Sequence, residues 1–243
     1  MKLPISKRLL CCAAEVAPGA RVADVGCDHG YLGIYLLQSG QASFVHASDL
    51  REKPLKKAMQ NALLYGVADK MRFSRADGLA AVEPGTVDTV VCAGMGGDLI
   101  AQILEATPWV RESCTLILQP QSSGNDLRRY LGEHGFSILK ERLVRDGGFL
   151  YAVMTVRFGG GTPLSPGRQY ASDALLRSND PLLAPYLSRI ERSLMNTVAG
   201  IAKGVTEEDR RKLAYYGAAY EEISALLRDL KTYERGQDDA CRE

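Results

Sequence analysis

The stretch ADVGCDHGYLG, residues 23–33, decides how this chain is read. It opens as a short apolar strand and breaks at Gly26, the pattern with which open parallel sheets bring a ligand against bare backbone. A turn that holds a pyrophosphate wants G-x-G-x-x-G, so that a helix N-terminus can meet the phosphates. Here the turn is G-C-D-H-G, which places Asp28 and His29 where a second glycine is routine. A carboxylate beside a pyrophosphate repels it. The same carboxylate suits a ligand that carries positive charge.

Strand and helix signals alternate outward from this loop. ISKRLLCCAAEVA (5–17) reads as an opening helix capped by Ser6 and stopped at Pro18-Gly19. RVADVG is a strand, YLGIYLLQSG a helix ending on Gly40, and SFVHASD a strand ending on Asp49. REKPLKKAMQNALLYG is a helix closed by Gly66, and MRFSRAD is a short strand. VDTVVCAG and CTLILQP are continuous apolar runs, the look of strands buried on both faces. Each precedes a helix, GGDLIAQILEAT and GNDLRRYLGEHG. These are five strands, four of them followed by a helix. FSILKERLVRDGGFLYAVMTVRF (136–158) then pairs two strand-like runs about Arg-Asp-Gly-Gly, a hairpin signal. Alternating units imply a parallel sheet covered on both faces. A terminal hairpin marks the methyltransferase variant of the Rossmann architecture, since a dehydrogenase continues the alternation.

GGGTPLSPG (159–167) is a linker by composition. Beyond it apolar residues recur at helical spacing, Leu183, Leu187, Ile190, Leu194, Val198 and Ile201, then Leu213, Tyr216, Tyr220, Ile223, Leu227 and Leu230. TEED at Thr206 is a capping pattern, and two such segments about a short turn form a helical hairpin. RGQDDACRE, at the end, reads as loose. The expected fold is α/β: a Rossmann-like class I methyltransferase sheet, mostly parallel with a C-terminal antiparallel hairpin, plus a small all-α C-terminal domain. The expected boundaries are 1–158 for the catalytic domain and 165–235 for the helical one.

A chain of 243 residues with net charge +1 can bury a core and is not a strongly basic nucleic-acid binder. Glu15 and Arg21 interrupt the apolar LLCCAA patch, against a leader peptide, and no apolar run is long enough to span a bilayer. The six cysteines, Cys11, Cys12, Cys27, Cys92, Cys114 and Cys241, lack CxxC spacing, so buried free thiols, no metal and a cytoplasmic location are expected. A monomer is expected. Charge is uneven: Arg51, Lys53, Lys56, Lys57, Lys70, Arg72 and Arg75 crowd residues 51–75, with Lys7 and Arg8 added if the ends meet. Such a run is a solvated helix face or a phosphate-contacting patch.

Ligands of open parallel sheets sit beyond the carboxyl ends of the strands. That geometry selects Asp24 to Gly30, Asp49, Asp77-Gly78, Ala93 to Gly97 and Gln119-Pro120. Gly26 and Gly30 let backbone approach a ligand. Asp49 can accept both hydroxyls of a ribose. Asp77-Gly78 can grip an adenine amino group or serve only as turn residues. The sign of charge in the Asp28 loop favours S-adenosylmethionine, which carries a sulfonium and an ammonium, over a dinucleotide.

SKRL near the start, DVGCDHGYL, the Asp49 strand end, ADGL (76–79), AGMGG (93–97), and LILQP followed by LRRYL and GF together resemble the bacterial tRNA (adenine-22-N1)-methyltransferase family, over about residues 5–157. The resemblance implies S-adenosylmethionine binding, tRNA as partner and methylation of N1 of one adenine. It also implies a helical, coiled-coil-like C-terminal domain. The implied cofactor pocket uses Gly26, Asp28, His29, Asp49, Asp77, Gly78, Gly94 and Met95, with Asp24 and Gly30 added from their strand-end position. Two departures touch the rim: Gly33 stands where the family has proline, and Gln121 where it has asparagine.

N1 of neutral adenine has an in-plane lone pair, so no proton must leave before attack and the enzyme mainly has to place the base. The product ring is cationic, and a carboxylate or carbonyl accepting from its amine stabilises it. Ala93-Gly94-Met95-Gly96 stands where many amino-methylating enzymes carry an Asp or Asn followed by Pro-Pro and an aromatic. The catalytic candidates are therefore Asp28, His29, which can orient it, and Gln119, which can reach the adenine edge. Asp28 can equally serve only to hold cofactor. Tyr31, Phe149 and Tyr151 are candidate stacking faces for an extruded base. In the tail, Arg210, Arg211 and Lys212 are the candidates for RNA contact, against simple self-packing. The alternatives are the same fold methylating another substrate, or a silent protein that binds RNA or a partner.

Overall fold

Alternation of apolar runs with amphipathic helices builds a single sheet between two helical layers. The computed structural model describes residues 3–204 and 206–240. Cys241 and the last residues of the tail lie outside them. The chain divides into two compact units, Met1–Thr162 and Pro163–Glu243.

In the first unit, α1 (Lys7–Ala14) starts after Ser6, whose hydroxyl accepts from the Leu9 amide. There follow β1 (Ala20–Val25), α2 (Tyr31–Gln38), β2 (Ala42–Asp49), α3 (Glu52–Leu64) and β3 (Met71–Arg75). Then come β4 (Thr89–Gly96), α4 (Gly97–Ala106), the short α5 (Val110–Ser113), β5 (Thr115–Ser122), α6 (Gly124–Glu133), β6 (Phe136–Asp146) and β7 (Phe149–Phe158). The sheet order is β3-β2-β1-β4-β5-β7-β6. The first five strands are parallel, and β7 runs antiparallel to both β5 and β6. From β1 the chain winds one way to β3 and then the other way from β4, so the crevice for a ligand opens at the carboxyl ends of β1 and β4.

Burial on both faces explains the unbroken apolar runs. Val91 and Ile117 join the core beneath α1, α2 and α3, while Val90, Cys92, Leu116 and Leu118 join the core under α4 and α6. The hairpin turns on Gly147 (φ 54°) and Gly148 (φ 82°), both left-handed, as a two-residue turn between twisted strands demands. No α-helix joins β3 to β4, because the connection carries two turn dipeptides, Asp77-Gly78 and Pro84-Gly85. A buried Arg128–Glu141 pair ties α6 to β6, and removing one partner would strand the other charge in the core.

In the second unit, the short α7 (Asp173–Leu176), which the sequence did not signal, is capped by Ser172, whose Oγ accepts from the Leu175 amide at 3.2 Å. α8 (Leu183–Ile201) and α9 (Glu207–Ala240) form the expected pair. Leu187, Ile190 and Leu194 of α8 and Ile223 and Leu227 of α9 are buried, and Ser224 donates to Glu191 across the pair at 2.7 Å. Thr206 caps α9 reciprocally: its Oγ1 accepts from the Asp209 amide while Asp209 accepts from the Thr206 amide. The helix continues to Ala240, which corrects the reading of residues 235–240 as loose. No helix among the described residues is long and apolar enough to cross a membrane.

Candidate active site

The loop after β1 is stitched to β2 by backbone. The amides of Gly26 and Cys27 both donate to the Ser48 carbonyl, at 2.8 and 2.9 Å. Gly26 has φ 69°, a backbone that favours glycine, and a Cβ there would lie 2.3 Å from Met95 Cε at the end of β4 and push that side chain aside. Asp28 has φ 49°, a left-handed backbone that strains a residue with a side chain. Its amide donates to Asp49 Oδ2 at 3.2 Å, and Asp49 Oδ1 accepts from the Arg51 amide at 2.8 Å. Asp49 is buried, and each of its oxygens keeps a second lone pair for a hydroxyl. The Asp28 carboxylate lies 2.8 Å from His29 Nδ1, with both side chains open to solvent. His29 in turn stacks on Tyr31, with centroids 5.8 Å apart. The buried Asn61 of α3 holds the loop from outside by donating to the His29 carbonyl at 2.9 Å. Nothing in the sequence distinguished Asn61 from an ordinary helix polar residue. Gly30 also needs its missing side chain, since a Cβ would meet that of Ala58 at 3.0 Å.

Asp24 differs from its expected place at the mouth. It is buried against Gly33, and its Oδ2 has no hydrogen-bond partner among the described residues. Burial raises its carboxyl from the ordinary 3.8 to about 7; the Gly33 amide opposes the rise and the Asp49 charge adds to it. Gly33 itself is hemmed in: a Cβ there would meet Val45 Cγ1 at 2.9 Å and Met71 Cε at 3.0 Å.

The other strand ends are assembled differently. Asp77 and Gly78 line a cleft of about 310 Å³ with Leu79, Leu99, Gln102 and Ile103, and Ser48 Oγ donates to the Gly78 carbonyl at 3.0 Å. Gly94 (φ 84°) lies under Arg8, whose Nη1 would be 3.0 Å from a Cβ. The expectation that Gln119 touches a base is corrected. Gln119 is fully buried; its Oε1 accepts from Arg8 Nη1, and its Nε2 donates to the Pro120 carbonyl at 2.8 Å. Arg8 is corrected with it. Its guanidinium lies over the Tyr151 ring at 5.7 Å, and its amide donates to Asp146 Oδ2 at 3.2 Å. Arg8 thus belongs to the β4, β5 and hairpin side, at the opposite end of the sheet order from β3. It does not extend the basic run of residues 51–75.

Residues 5–154 match the family model described as a methyltransferase domain. A tRNA (adenine(22)-N(1))-methyltransferase of Bacillus subtilis (strain 168) is 30% identical over 227 residues, which are 92% of this chain and 87% of that protein. The chain belongs to this methyltransferase family. The crystal structure of the B. subtilis m1A22 tRNA methyltransferase superposes with a TM-score of 0.83 at 26% identity, covering 93% of this chain and all 100% of that one. A Streptococcus pneumoniae structure in complex with S-adenosyl-L-methionine superposes at 0.79 with 31% identity, covering 92% and 99%.

The exposed cations differ in what they already touch. Lys7, Lys53 and Lys57 are exposed. Arg51 Nε lies 3.6 Å from Asp49 Oδ1, and Lys56 pairs with Glu52 at 2.6 Å. In the tail, Arg210 and Arg211 pair with Glu207, and Lys212 with Glu208. These exposed pairs within one helix hold weakly, and a phosphate can displace them. Cys12, Cys27, Cys92 and Cys114 are buried free thiols. Burial pushes Cys12 and Cys92 up to about 12, so neither is a thiolate near neutral pH. Among the described residues no group of three or more His, Cys, Asp or Glu is placed to hold a metal ion.

Proposed function

We propose that this protein transfers a methyl group from S-adenosylmethionine to N1 of adenine 22 in tRNA. The observation that carries the reading is the linked pair of acids at the β1 and β2 ends, Asp28 amide to Asp49 carboxylate, in a loop that lacks any anion-holding glycine run. That loop repels phosphate and suits a cation. The residues present fit the cofactor: Gly26 leaves no side chain in the way, and Asp24 offers a buried oxygen without a partner.

When bound, S-adenosylmethionine supplies an electrophilic methyl group on a sulfonium. Asp49 is the residue to hold the ribose, since both its oxygens are already oriented by backbone amides. Asp77 and Gly78 face the cleft that would take the adenine edge of the cofactor. Asp28 places negative charge on the cationic side. No side chain has to remove a proton, because N1 attacks through its own lone pair. The protein's task is orientation, and the stabilisation of positive charge that spreads to the 6-amino group of the product. Asp28, exposed at the mouth and held against His29, is the carboxylate free to accept from that amine. Gln119 is not, being buried beneath Arg8.

The same reading makes the protein a cytoplasmic monomer with tRNA as its partner. Incubation with methyl-labelled cofactor and unmodified tRNA, followed by digestion to nucleosides, tests it. Label should appear as N1-methyladenosine. Label in another nucleoside, or in another class of acceptor, would assign the fold to a different substrate. No transfer despite cofactor binding would make it a silent RNA-binding protein.

A further inference from the structure

The hairpin β6–β7 overhangs the crevice. The register pairs Leu118 of β5 with Met154 of β7, so the start of β7 lies beyond the carboxyl end of β5. Phe149, Tyr151 and Val153 alternate along one face of β7, and Val153 packs into the core that α1 covers. On this face three groups follow one another outward. Arg8 stands over Gln119 and Gly94, its guanidinium covers Tyr151 at 5.7 Å, and Phe149 lies 6.3 Å beyond Tyr151. The last ring is 62% exposed, beside the two-glycine turn.

That exposure sets Phe149 apart from the other exposed phenylalanine. Phe158, at the far end of the same strand, meets Phe136 edge-on at 5.4 Å and is covered by Arg111. Phe149 has only Tyr151 as a ring partner among the described residues. Its register partner Asp146 is turned to the Arg8 amide, which follows the exposed Lys7. A bare ring at the outer end of the Arg8–Tyr151 path matches a stacked nucleic acid, whose bases offer π faces.

We propose that Phe149 is a wedge. It enters the base stack of the tRNA at the place the target adenine leaves, while Tyr151 and Arg8 line the way inward to the reacting centre. This rests on the functional reading above and deepens it. Extruding a base costs stacking energy, and a ring that fills the gap recovers part of it. The pairing of β7 with β5 and β6 holds the wedge in register with the sheet.

The test uses the full chain and a tRNA transcript carrying 2-aminopurine at position 22, whose fluorescence rises when the base unstacks. Wild type should raise the fluorescence, and Phe149→Ala should abolish the rise. On the unsubstituted transcript, Phe149→Ala should lower kcat/KM about 10- to 100-fold, the scale of one lost base–aromatic stack. Its affinity for S-adenosylmethionine and its melting temperature should match wild type. Phe149→Trp should restore both the fluorescence rise and the rate. A Phe149→Ala protein that raises the fluorescence and methylates as wild type does would overturn the proposal. So would loss of cofactor affinity along with rate, or equal loss in Phe149→Ala and Phe149→Trp, since either marks a merely structural residue. A wild-type protein that methylates no tRNA would instead remove the functional reading beneath the proposal.

Discussion

The two sides of the crevice are built by different means. On the β1–β2 side, adjacent residues do the work: Gly26, Asp28, His29 and Gly30 share one loop, and Asp49 meets it through backbone amides. On the β4–β5 side, the key contact joins Arg8 to Gln119 across 111 positions of sequence. The first side carries the acids, and the second carries a cation over an aromatic ring. On the proposed function, Asp49 on the first wall holds the cofactor while Arg8 on the second guides the base, so mutations at these two positions should fail differently.

The largest effect is expected at Asp49. Asp49→Ala removes an acceptor for two hydroxyls, at about 1.5–3 kcal/mol for each charged hydrogen bond, so cofactor should bind roughly 100-fold more weakly or worse by calorimetry. Unchanged binding would move the ribose site elsewhere. Arg8→Ala should do the reverse. Its cofactor affinity should stay within about twofold of wild type, while kcat on tRNA falls some tens of times, a loss of about 2 kcal/mol. Arg8→Lys should rescue little, because an ammonium lacks the planar fork that holds an amide and covers a ring. Cofactor binding that collapses in Arg8→Ala would erase the distinction between the walls.

A smaller effect should appear in stability against pH. The carboxyl of Asp24 is raised in the folded chain to about 7, above its ordinary 3.8. The unfolded chain therefore releases that proton first as pH rises. Stability contributed by the neutral acid is full below pH ~4 and is lost as pH climbs through ~7. Asp24→Asn should flatten the fall in melting temperature between pH 5 and 8 by several degrees relative to wild type. An identical pH profile would mean that Asp24 is ionised throughout.

The sequence carried the β1–β2 wall because its signals are local. Glycine at positions 26 and 30, the sign of charge at Asp28 and a strand ending on Asp49 all stand within one supersecondary unit. The hairpin was legible for the same reason, since Gly147-Gly148 can only be a turn of the left-handed kind. The other wall was misread because its partners are distant. Arg8 looked like one more cation near a basic run, and Gln119 looked like a free strand-end amide. Only the sheet order, which brings α1 to the β5 side, shows that each occupies the other. Asn61 and Asp24 were missed or misplaced likewise, because burial is a property of the assembled layers.

The most direct test of the account compares two transcripts of one tRNA, with adenine or guanine at position 22, incubated with methyl-labelled S-adenosylmethionine and this protein. The account predicts stoichiometric label in the first, recovered as N1-methyladenosine, and background label in the second. Equal labelling of the two transcripts would contradict it.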